Sequence, residues 1–415
     1  MRFPVIVGLT LLAWWPVQGL ADQFHYNNVL VGERAMGLGG AFTAIADDAS
    51  GLVYNPAGVA FALSNDISGS ANAFYRRKVV YKETIGKDDF TEHSSGTTAP
   101  FFGGLQKLDN LYPGLSLAFG IYNIDSELKD QDDLVENKTE LGLQRFHRTA
   151  NIRAGTMGIG AAAGLRITSG FSVGLGFSYL MIDELTQEYQ DVVYTNGSFL
   201  TQNFRTHLGA QGLETSVGAQ LAFGSVSFGL NVKLRTLLDE QYEISRDLWT
   251  NRGSDGSVQE ELTRAPETRS IAKPLETMPT AVRSGVAWFA SPQLLWTADV
   301  VHYTEAESAY FQREAVTNFA SGIEYYITPS IPVRVGVFTN NDARPEVKEG
   351  ETGQPDHIDY LGYSLFFAVA QPNSQIAIGG IFQQGEGKAQ KIASSTIQEV
   401  EAESMTVAFS ATHSF

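Results

Sequence analysis

The chain is 415 residues long and acidic, with 46 Asp and Glu against 29 Lys and Arg, a formal net charge of −17 and no cysteine. The charge argues against a nucleic-acid partner, and the missing thiols exclude disulfides, thiolate metal sites and a cysteine nucleophile. Beyond residue 21 no run of about 18 apolar residues occurs, which excludes membrane-spanning helices.

Residues 1–21 read as a secretory signal peptide. Arg2 supplies the positive start, residues 3–15 the apolar stretch, and Gly19-Leu20-Ala21 the small residues before a cut at Asp22. The protein is therefore expected to be exported.

Residues 22–64 show no period-two alternation. They mix small residues, a helical stretch and tight turns. Gly37, Gly39 and Gly40 permit close backbone approach. Asp47 or Asp48 is placed to cap a short helix over 49–54, with calcium binding by the pair as the lesser alternative. Asn55-Pro56 favours a turn after that helix. A segment of this kind ahead of the first strand is expected to plug the inside of a barrel formed by residues 65–415.

From residue 65 onward, turn signals and alternation predict strands over 65–81, 98–108, 114–126, 145–168, 171–190, 200–223, 226–247, 277–290, 293–305, 316–328, 331–340, 358–370, 374–385 and 404–415. The reading is an all-β fold, a closed antiparallel transmembrane barrel of fourteen strands. Over 171–181, Phe171, Val173, Leu175, Phe177, Tyr179 and Met181 share one face, with Ser172, Gly174, Gly176 and Ser178 opposite. Over 226–234 the same holds for Val226, Phe228, Leu230, Val232 and Leu234 against Ser227, Gly229, Asn231 and Lys233. An apolar face outside and small or charged residues inside make a barrel with a polar lumen, the inverse of a soluble one. Short turns such as Pro113-Gly114, Gly224-Ser225 and Pro329-Ser330 alternate with long polar connections over 82–97, 127–144, 186–203, 246–276, 340–358 and 385–403. With 41 Gly and 11% aromatic residues, the composition suits tilted strands with interfacial girdles.

The last strand ends the chain. Met405, Val407, Phe409, Ala411, His413 and Phe415 share a face, so the sequence stops on an aromatic carboxyl terminus. This ending resembles the closing strand of Gram-negative outer-membrane barrels, with His413 where Tyr is common.

The run 37–60, with Ala46-Asp47-Asp48 followed by Asn55-Pro56-Ala57, resembles the N-terminal hatch of the FadL/TodX family of outer-membrane transporters for hydrophobic compounds. Its glycine-rich front half is closer to the broader relatives than to the fatty acid transporters proper. Residues 275–285 and 296–303 resemble the family's eighth and ninth strands, and Phe319-Ala-Ser-Gly-Ile-Glu-Tyr325 with Pro332-Val-Arg334-Val-Gly336 the next pair. The resemblance implies a fourteen-stranded barrel plugged by the hatch. Such a barrel passes long-chain fatty acids or other hydrophobic compounds by hatch rearrangement and lateral exit through the wall, with no energy source.

On that reading Asn55, Pro56 and Ala57, with Asp47 and Asp48, set the hatch conformation. Lys233, Arg235, Arg283 and Arg334, on the lumen face, are candidates to pair with a fatty acid carboxylate; the alternative is that they neutralise Asp and Glu within the lumen. Phe199, Leu200, Leu248 and Trp249 are candidates for an outer groove. Gly158-x-Gly160-x-x-x-Gly164 has the wrong spacing for a dinucleotide loop, and the seven histidines form no metal-spaced pair, so no cofactor and no metal are expected. The expected partners are the hydrophobic cargo, outer-membrane lipid and lipopolysaccharide, with the barrel acting as a monomer. Two rivals remain. One is a surface barrel that binds or secretes a partner protein. The other is a barrel enzyme, for which the sequence offers only scattered residues such as His147 and His207.

Overall fold

The computed structural model describes residues 24–415 except Ser254, Ala309 and 392–395. The proposed signal peptide lies outside the described residues. Fourteen strands form the wall: β1 Asp66–Ile85, β2 Asp88–Lys107, β3 Leu115–Lys138, β4 Leu143–Arg166, β5 Phe171–Tyr194, β6 Phe199–Phe223, β7 Val226–Arg252, β8 Ala281–Ser291, β9 Leu294–Tyr303, β10 Val316–Thr328, β11 Ile331–Asn340, β12 His357–Gln371, β13 Ser374–Ala389 and β14 Gln398–Ser414. Each pairs antiparallel with its neighbours in sequence, and β14 returns to β1 from Asp66↔Ser414 to Tyr81↔Val400. Closure removes the edges that an open sheet would expose.

The faces follow the alternation. Phe119 is 52% exposed, Leu230 48% and Val335 52%, whereas Ser172 is 0%, Asn231 1% and Arg334 2% exposed. The apolar side chains stand outside and the polar ones inside, because the outer surface is matched to hydrocarbon and the lumen holds packed polar groups.

Strand ends differ from the expectation. Most of 82–97, 127–144, 186–203 and 385–403 is strand rather than loop, and β1 turns into β2 across Gly86-Lys87 alone, with Ile85 opposite Asp88. Above the apolar band both faces are polar, so the hydropathy alternation stops while the backbone ladder continues. Within 246–276 an additional strand, Val258–Ala272, folds back on the upper part of β7 and stays outside the wall. The strand expected over 277–290 begins only at Ala281.

Residues 24–64 lie within the sheet. They form α1 Glu33–Gly37, α2 Gly51–Tyr54 and a 3₁₀ turn, Gly58–Phe61. Ala35, Met36, Leu38, Phe42, Ala44, Ala57 and Val59 are all fully buried. Small residues dominate because the lumen leaves little space between hatch and wall.

Candidate functional site

The Asn55-Pro56-Ala57 turn is seated on the wall through the Asn55 side chain and the Ala57 backbone. Asn55 donates from Nδ2 to the carbonyls of Thr43 at 2.8 Å and Ala219 at 3.2 Å, and its Oδ1 accepts from the Ala57 N–H at 3.1 Å. The turn rests against Gly174 and Gly218, where any Cβ would collide with the Ala57 amide or with Asn55 Oδ1. These two wall positions admit only glycine while the hatch is in place.

Wall side chains complete the seat. Ser172 donates to the Ala57 carbonyl at 2.7 Å, Ser227 to Ala44 at 2.7 Å, Asn231 to Tyr54 at 2.8 Å and Ser364 to Gly37 at 3.0 Å. Asp299, 2% exposed, accepts at one oxygen from the N–H groups of Phe42 (3.0 Å) and Thr43 (2.9 Å) and from the Thr43 hydroxyl (2.5 Å). The irregular hatch backbone thus has its donors and acceptors matched by the wall. Alternation marked Ser172, Ser227 and Asn231 as lumen-facing, but nothing local in the sequence says that they or Asp299 meet hatch backbone.

Neither aspartate caps α2 directly. The residue at its N-cap is Ser50, with no side-chain cap bond. Asp48 accepts from the Ser50 N–H at 2.8 Å and the Ser50 hydroxyl at 2.5 Å, tightening the turn that enters the helix. Asp47 instead pairs with Arg34 at 2.9 Å. Among the described residues no group of three or more His, Cys, Asp or Glu is placed to hold a metal ion.

The four lumen bases divide into two places. Lys233, Arg235 and Arg283 line one cavity of about 80 Å³, between hatch and wall, with Val53, Tyr54, Ile124, Leu180 and Ile182 among the other walls. Arg334 lies apart from them, beneath α1, bonded to Glu324 at 2.5 Å and to Glu33. All four already have carboxylate neighbours. Glu214 takes Lys233 at 2.7 Å and Arg235 Nε at 2.8 Å, while Asp299 stands 3.9 Å from Arg283, whose guanidinium also covers the Tyr54 ring at 5.3 Å.

A second cavity, of about 40 Å³, includes Gly96, Thr97, Ser126 and Leu128 in its lining. It shares Val29 and Asp125 with the first, so the two abut. Here the wall changes character. The β2–β3 ladder runs only from Lys107↔Ser116 to Phe101↔Tyr122, although β2 continues along β1 to Asp88 and β3 continues along β4 to Lys138. Above Phe101 no backbone pairs join β2 to β3. Pro100, which has no N–H for a ladder, stands where the pairing stops, and β3 bulges between Asn123 and Asp125 against β4.

No family model matches the sequence, and no curated protein matches it. Solved structures do. A Pseudomonas aeruginosa FadL homologue aligns over 96% of this chain and 100% of its own at 12% identity, with a TM-score of 0.64. The P. putida toluene transporter TodX aligns over 93% and 99% at 13% identity, with a TM-score of 0.63. The Ralstonia pickettii toluene transporter TbuX aligns over 92% and 98% at 11% identity, with a TM-score of 0.54. The chain has the FadL-type barrel fold.

At the mouth of this FadL-type barrel charged side chains roof the lumen. Glu92 takes Lys129 at 2.5 Å and Arg148 at 3.1 Å, and Arg148 also holds Glu188 at 2.8 Å. Lys391, in the loop above, bonds Asp356 at 3.1 Å. Burial alone would lower its pKa, but the Asp356 and Glu92 carboxylates outweigh burial and hold the ammonium above the ordinary lysine range.

The expected outer groove is divided. Leu200 and Leu248 are buried, whereas Trp249 is on the exposed face under Arg264, whose guanidinium lies 4.7 Å from the ring. Adjacent strand residues point to opposite faces, so Leu248 and Trp249 cannot share a groove. His147 and His207 also face outward, bonded to Asp132 at 2.7 Å and Asp183 at 2.9 Å.

Proposed function

We propose that this chain is a passive outer-membrane channel for hydrophobic compounds, which enter from outside, pass between hatch and wall, and leave sideways through the β2–β3 seam into the bilayer. One observation carries the reading: a barrel plugged along its axis has two abutting cavities, and the outer one is lined from both sides of the place where its wall lacks a ladder. An apolar molecule on such a route never has to cross the polar lumen as far as the periplasm. The solved structures named as toluene transporters share the fold, which supports the same reading.

The cargo class we favour is neutral. Glu214 and Asp299 already compensate Lys233, Arg235 and Arg283, so a carboxylate entering the cavity would have to compete with them. A cavity of about 80 Å³ is also small beside the roughly 300–1,000 Å³ of typical ligand pockets. A long-chain fatty acid would require the hatch to move, whereas a single aromatic ring demands less room.

The test is uptake of radiolabelled toluene and of radiolabelled oleate by a Gram-negative host lacking its own transporter, with and without this protein in its outer membrane. Toluene uptake above the empty host, exceeding any gain with oleate, is expected. Gain with oleate alone would overturn the neutral-cargo reading, and gain with neither would overturn the channel.

A further inference from the structure

The seam between β2 and β3 is not empty. It is bridged, but by side chains. Gln131 on β3 accepts at Oε1 from the His93 N–H at 3.1 Å and donates from Nε2 to the Thr91 carbonyl at 2.8 Å. A glutamine amide carries one carbonyl and one NH₂, so this side chain occupies the donor and acceptor that a paired strand would supply. Lower down, Asn123 Nδ2 donates to the Ala99 carbonyl at 2.7 Å. On the lumen side the buried Lys129–Glu92 pair crosses from β3 to β2, and at the top Lys138 meets Asp88.

We propose that the β2–β3 seam is a lateral gate shut by side-chain latches, chiefly Gln131 and the Glu92–Lys129 pair. This deepens the channel reading and rests on it for the route. A backbone ladder of the same length would part only by cooperative rupture of the sheet. Side-chain bonds can be released one at a time, Glu92 leaving both Lys129 and Arg148 of β4, and each strand keeps its other neighbour, β1 for β2 and β4 for β3. The latch height is wet: Asp130 and Asp132 are exposed beside Gln131, so water can receive the Thr91 and His93 groups when the amide leaves. Below it, at Gly96 and Leu128, Phe74 and Leu128 put apolar surface on the outside. Parting the polar top of the seam would therefore draw Leu128 away from Gly96 where the outer surface is apolar.

The chain has no cysteine, which makes an engineered thiol pair a clean probe. A Cβ placed at Gly96 lies 3.5 Å from the Leu128 Cβ, inside the roughly 3.5–4.5 Å range of disulfides, and Gly96 is not among the positive-φ glycines. The pair Gly96→Cys with Leu128→Cys is made in the full chain and inserted in the outer membrane, with assembly followed by heat-modifiable mobility.

The first readout needs no cargo. Disulfide formation is timed in this pair and in the same pair carrying Gln131→Ala; loss of the two amide bonds should slow it by about fivefold or more. Equal rates would overturn the latch. The second readout is uptake of radiolabelled toluene and oleate. Uptake lost on oxidation and regained with reductant is expected, and uptake indifferent to the disulfide would overturn the seam as the route. If the reduced barrel carries neither probe, the channel reading fails, while the oxidation rates still decide the latch.

Discussion

Two wall residues, Gly218 and Asp299, bear most directly on whether the hatch stays in place. Gly218→Val would drive a branched side chain into Asn55 and Pro56 without altering the lipid face. The barrel should assemble, since strands and closure are untouched, but with the hatch unseated. The expected outcome is leakage of small hydrophilic solutes, read as raised sensitivity to antibiotics normally held out by size; unchanged sensitivity would mean that the hatch accommodates the intrusion. Asp299→Ala leaves the Phe42 and Thr43 N–H groups without their acceptor and Arg283 without its nearest carboxylate. A cost of about 3 kcal/mol is expected, measured as a lowered urea midpoint of the barrel's heat-modifiable form. At this scale the sequence showed polarity but not partnership. Arg235 could be assigned to the lumen from alternation alone, yet its partner Glu214 emerges only from the β6–β7 register, which sets the two directly opposite.

Among the strands, legibility tracked the solvent on each face. β5 could be read from residues 171–181 because lipid meets one face and packed polar groups the other. The upper part of β3, with Asp130, Gln131, Asp132 and Asp133 in succession, reads as a loop because both faces are polar, although it is paired with β4 residue by residue. The strand Val258–Ala272 was hidden for the same reason: nearly all of it is exposed, and it pairs with β7 alone. Its outer part, with the end of β7 that it covers, should be dispensable. Removing residues 247–266 and joining Arg246 to Glu267, which face each other across the hairpin, through an Asn-Gly turn is expected to leave assembly and heat-modifiability unchanged. Failure to insert would give this ribbon a part in building the wall. The break in the β2–β3 ladder was the least legible element, since pairing between neighbours is invisible in either strand alone; Pro100, unremarked within the strand predicted over 98–108, stands where it begins.

For the molecule as a whole, the same polypeptide provides a wall, a stopper and a side door. The stopper is bonded to strands from β5 through β12: Ser172 on β5, Asn231 on β7, Asp299 on β9 and Ser364 on β12 all hold its backbone. The cylinder shuts only when β14 pairs with β1. A segment gripped from so many sides is fully seated only once all of these strands stand around it. Residues 24–64 and the closed wall therefore fix each other's shape: the strands set the path of the hatch backbone, and the hatch fills the space that the strands enclose. Glycines such as Gly174 and Gly218 mark the places where the enclosing sheet lies closest to its core.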